Sequence, residues 1–134
     1  MKSRETLIRL KRFQVDEKRQ QIAGIESMIA DFQRMTEELE QQVVSEQERA
    51  GISDVTHFAY PTFAKAARQR CEKLQASIDE LHGQLEPARQ ALQVAFEEMK
   101  KVALIEEREA HRERAAMAAR AQNHLDEGGP ATHP

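Results

Sequence analysis

The sequence predicts an all-α fold: a long two-helix antiparallel coiled-coil hairpin with a C-terminal single-helix overhang. Three observations predict it. From Ala64 to Val102, small or apolar residues recur in unbroken steps of four and three: Ala67, Cys71, Leu74, Ile78, Leu81, Leu85, Ala88, Leu92, Ala95, Met99, Val102. That is the heptad of a helix that buries one narrow seam against a partner helix. An earlier stretch carries a second heptad pattern, and a connection marked by Gly51 and Pro61 separates the two. The expected organisation is one domain over residues 1–127, with helices at about 3–49 and 62–125, a linker at about 50–61, and a disordered tail at 128–134.

The first helix has two rows. One is Ile8, Val15, Ile22, Ile29, Val43, spaced by sevens with Thr36 filling one place. The other is Ile25, Phe32, Leu39, but it begins with Lys11 and Lys18. The seam is therefore strong from Ile22 to Val43 and weaker toward the N-terminus. Long Lys stems still lie over a seam while the ammonium reaches water. Ser3 and Thr6 offer a cap at the start.

Gly51 is expected to cap the first helix, and Pro61 suits the first position of the next, where its missing N–H is no loss. A short connection between two heptad helices makes them antiparallel neighbours. Folding at about residue 55 opposes positions whose numbers sum to roughly 110. Phe32 then faces Ile78 and Leu81, Val43 faces Ala67, and Ile8 faces Val102. Near the connection, Glu37, Glu38, Glu40, Glu46 and Glu48 are expected to meet Lys65, Arg68, Arg70 and Lys73, each exposed pair contributing about 0–1 kcal/mol. The connection also gathers Phe58, Tyr60 and Phe63 in a chain with no Trp and a single Tyr. These aromatics read either as a plug for the open end of the hairpin or as a partner contact.

In the second helix, Pro87 removes a backbone hydrogen bond almost opposite Gly24, which reads as a tolerated bend or as a hinge. Past Val102 the seam places hold Glu106, Glu109 and Glu113. By the register, residues 109–125 have nothing left to pair with. Arg108 to Ala121 is rich in good helix formers but poor in apolar seam.

Composition limits the chemistry. With 134 residues and a net charge of -3, nothing calls for a nucleic-acid partner, and the basic N-terminal residues lack the aromatic platform such binding uses. One cysteine excludes an intrachain disulfide, and Cys71 reads as a seam filler. The five histidines stand at no metal-binding spacing, and no Gly-rich phosphate loop is present. The longest apolar run, Val102-Ala103-Leu104-Ile105, is far too short to span a membrane. The expectation is a soluble, cytoplasmic, non-enzymatic chain with no cofactor, no metal and no small-molecule substrate.

The chain resembles the FliJ family of flagellar export proteins, particularly its alphaproteobacterial branch. The resemblance rests on the opening Met1-Lys2-Ser3-Arg4-Glu5-Thr6-Leu7-Ile8-Arg9-Leu10-Lys11-Arg12-Phe13, on Ala50-Gly51-Ile52-Ser53-Asp54, and on Phe58-Ala59-Tyr60-Pro61-Thr62-Phe63-Ala64-Lys65-Ala66-Ala67, and covers about residues 1–125. It implies a coiled-coil stalk of a hexameric flagellar export ATPase that also engages the membrane export gate protein and escorts export chaperones. Such a protein works at the cytoplasmic face of the membrane at the flagellar base. Partner contacts are then expected on Arg4, Arg9 and Arg12, on Phe58 and Tyr60, and on Arg108, Arg112 and Arg114. A generic coiled-coil adaptor or scaffold is the alternative, and self-association through the unpaired end would be its mark.

Overall fold

The structure, a computed structural model, describes residues 2–52 and 59–131. All of them are helical, in α1 (Lys2–Ile52) and α2 (Ala59–Ala131), and the two long helices pack against each other as an all-α helical hairpin.

Burial along α1 follows the heptad without a slip. Arg4, Ile8, Lys11, Val15, Lys18, Ile22, Ile25, Ile29, Phe32, Thr36, Leu39, Val43 and Glu46 are each buried or half-buried. Two of the polar members of this row, Thr36 and Lys11, have partners. Thr36 donates its hydroxyl to the Phe32 carbonyl at 3.0 Å, so a hydroxyl in the seam loses no hydrogen bond. Lys11 lies along the helix pair and reaches Glu98 at 3.2 Å. On α2 the row continues beyond Val102 through half-buried Glu106 and Glu109.

The chain forms two compact units. One comprises residues 17–92. Its core is the cluster of Ile29, Ile78, Leu81 and Leu85, with Ile22, Ile25 and Phe32 packed against it. Phe32 thus packs against the cluster that holds Ile78 and Leu81, the residues the register sets opposite it. Ala67 is buried, while Leu39, Val43, Cys71, Leu74 and Leu92 are half-buried. α1 passes Gly24 and α2 passes Pro87 without interruption. The other unit comprises residues 1–16 and 93–134. Val15 and Ala95 are its buried apolar residues, with Met99 and Val102 half-buried.

The helix ends differ from those expected. Gly51 does not cap α1: no described glycine has a positive φ, and the helix continues to Ile52. α2 begins at Ala59, ahead of Pro61, because the first four N–H groups of a helix have no intrahelical partner and a proline anywhere among them removes nothing. At the other end α2 runs through Gly128, Gly129 and Pro130 to Ala131, where a disordered tail was expected. Extending an existing helix carries no nucleation penalty, so poor helix formers can be carried for a turn. Residues 53–58 and 132–134, with the rest of the tail and Phe58, lie outside the described residues.

The expected charge zipper near the connection does not form among the described residues. Glu46 pairs with Arg49 on its own helix at 3.0 Å, and among the described residues no ion pair joins the acidic run to the basic one. Exposed carboxylates and ammoniums keep their hydration, and the small Coulomb gain does not offset fixing two long side chains. Glu38 and Arg70 do line one shared surface recess with Met35, Leu39 and Gln42.

Candidate functional site

Among the described residues no cluster of His, Cys, Asp or Glu is arranged to hold a metal ion, and no helix is long and apolar enough to cross a membrane. What the fold offers instead is surface, and its most organised part lies around Arg4 in the unit formed by residues 1–16 and 93–134.

Arg4 is four residues before Ile8, so it occupies a seam position, and its side chain is only 15% exposed. Its guanidinium meets three carboxylates of α2. Nη1 donates to Glu109 Oε2 and Nη2 to Glu113 Oε1, both at 2.5 Å, and Nε lies 3.1 Å from Glu106 Oε2. The three acids stand at 106, 109 and 113, on one face of successive turns. The hydrogen bond that Arg4 donates to Glu113 is the main cause that raises the Arg4 pKa above its ordinary value; burial opposes it, and the charges of Glu106 and Glu113 add to it. The group is therefore a permanent cation. The Nε–Glu106 contact is one of charge alone: both atoms are buried, and neither makes a hydrogen bond.

This arrangement corrects the expected start of the overhang. Glu109 and Glu113 do have a partner, because helical side chains lean toward their own N-terminus and a long one reaches past the end of its helix. Arg4 therefore extends the pairing beyond the last backbone position of α1. From 111 to 127 every residue of α2 is exposed, including Met117 at 64% and Leu125 at 67%.

The expected partner-binding residues fall into three groups. Arg4 is committed to its three carboxylates. Arg9, Arg12, Arg108, Arg112 and Arg114 are exposed and have no ion-pair partner among the described residues. Tyr60 lies in the first turn of α2, and Phe58 falls outside the described residues.

Apolar groups accompany the free arginines. Leu7, Leu10 and Phe13 are 42%, 49% and 63% exposed along one side of α1, and Ile105 is 53% exposed on α2. Leu7 and Ile105 line a recess of about 70 Å³ with Arg4, Val102 and Glu106. On the outer side of α2, Lys100 stands over the Phe96 ring at 5.1 Å.

Sequence reasoning placed Glu106, Glu109 and Glu113 on the continuing heptad but gave Arg4 to a partner rather than to the seam. Counting the first heptad back one step from Ile8 was the signal that joins them.

A family model described as Flagellar FliJ protein matches residues 1–129. No curated protein and no solved structure matches the chain.

Proposed function

The chain belongs to the FliJ family of flagellar export proteins, and from that premise we propose that it is the coiled-coil stalk of the hexameric flagellar export ATPase. In this reading the helix pair enters the ring and also contacts the membrane export gate protein and the export chaperones. It works at the cytoplasmic face of the flagellar base, without catalysis of its own.

The observation that carries the proposal is the change in α2 at Glu113. Up to that residue α2 has a partner on α1, and from 114 to 127 every residue is exposed. A helix of Ala, Arg and Glu that buries nothing within its own chain gains stability only by packing against something else. Arg114 supplies a cation there, next to Arg108 and Arg112, for a carboxylate-lined surface, and Met117 and Leu125 supply apolar contacts.

The test is co-purification of the chain with the export ATPase of its own organism. Full-length protein is compared with a version ending at Glu113, which keeps the Arg4 contacts. Strong binding by the full chain and weak binding by the shortened one supports a stalk whose free helix touches the ring. Equal binding by both moves the contact to the paired helices. Failure of both to bind the ATPase sinks the proposal, and clean self-association in its place points to a scaffold.

A further inference from the structure

We propose that the Arg4 end of the helix pair is an ionic latch, which lets the first turns of α1 leave α2 and return as ionic strength rises and falls while the Ile29 cluster stays shut. The inference does not depend on the export role.

The seam itself changes character along α1. Around the cluster its places are Ile22, Ile25, Ile29 and Phe32, while past Lys18 and the buried Val15 they are Lys11, Ile8 and Arg4. Apolar burial therefore fades where charge takes over. What closes this end is one guanidinium set against three carboxylates, so the attraction is accompanied by repulsion among the acids themselves.

Two features keep the closed state shallow. Arg4 Nε and Glu106 Oε2 are both out of water and yet unbonded, so their lost hydration is not replaced by a hydrogen bond. Beside them the recess among Leu7, Val102 and Ile105 leaves part of each apolar surface without a packing neighbour. One feature makes the latch responsive. The side chains of Glu109 and Glu113 are 44% and 53% exposed, so dissolved cations reach them and compete with Arg4. The Arg4 charge itself is fixed across the working pH range, which leaves ionic strength as the natural control.

When the latch opens, half-buried Val102 and Glu106 lose their cover, and Glu109 and Glu113 lose their cation. The device thus presents a composite acidic and apolar strip only part of the time.

Hydrogen exchange read by mass spectrometry on the full chain tests it, at salt of about 50 mM and about 500 mM, where screening lengths differ severalfold. The latch requires exchange in residues 3–11 and 102–113 to accelerate several-fold at high salt, with residues 22–32 and 78–85 unchanged. In Arg4→Met the same end should exchange as fast at low salt as the natural protein does at high salt, with no further acceleration. Arg4→Lys, which keeps the charge, should retain the salt response. Equal exchange of the natural end at both salts overturns the proposal. So does a natural salt response in Arg4→Met, or a parallel acceleration of residues 22–32, which would mean that the whole pair loosens.

Discussion

Lys11 Nζ lies 3.2 Å from Glu98 Oε2 although 87 residues separate the two in the chain. The pair falls on the register derived from the hairpin geometry, and the seam place it occupies would in a stronger coiled coil hold Leu or Ile. Lys18, one heptad further on, is half-buried in the same row and has no ion-pair partner among the described residues. Lys18→Leu should therefore stabilise the protein by about 1 kcal/mol, read as a raised urea midpoint at constant slope. An unchanged or lowered midpoint would show that Lys18 is better solvated than its place in the row implies.

Leu81 sits in the core cluster with Ile29, Ile78 and Leu85 and is 8% exposed. Its truncation, Leu81→Ala, should destabilise by roughly 2–5 kcal/mol in equilibrium denaturation. A loss under about 0.5 kcal/mol, the range of surface substitutions, would contradict this packing.

Gly24 and Gly83 lie inside α1 and α2, and a Cβ added at either meets nothing within 4 Å. Glycine in a helix interior is less favourable than alanine by roughly 0.5–1 kcal/mol. Gly24→Ala and Gly83→Ala should each raise stability by about that amount, as a calorimetric shift in Tm. A drop in Tm would reveal a close neighbour that these glycines accommodate.

Met117 and Leu125 touch water over most of their surface. Met117→Gln and Leu125→Gln should leave stability within about 0.5 kcal/mol of the natural protein. If α2 meets the ATPase ring as proposed, the same changes should weaken co-purification. Lost stability with intact binding would be the opposite of that expectation.

The seam was legible in the sequence because heptad spacing is burial written directly into residue type: Ile22, Ile29, Ile78 and Leu85 could sit nowhere else. Arg4 was not, because its residue type argues for solvent while its position argues for the seam. Only a partner bearing three acids decides between the two. The helix ends at Ile52, Ala59 and Ala131 lie a few residues from the expected ones for another reason. Stop signals are weak local preferences, and a helix that is already long overrides them. The acidic and basic runs misled because opposite charge at matching places does not of itself form a bond in water.

The seam also has an order in time. Contacts within residues 17–92, such as those of the Ile29 cluster, close a smaller loop than the bond from Arg4 to Glu113, which spans 109 residues. Closure entropy grows with loop length, by about 0.6 kcal/mol for each doubling, and a contact already made shortens every loop that remains. Zipping from Ile29 outward makes each later contact local, so the Arg4 bonds form last on the way in and break first on the way out. A mutation at Arg4 should thus alter the unfolding rate and leave the refolding rate unchanged, whereas one at Ile29 should slow refolding.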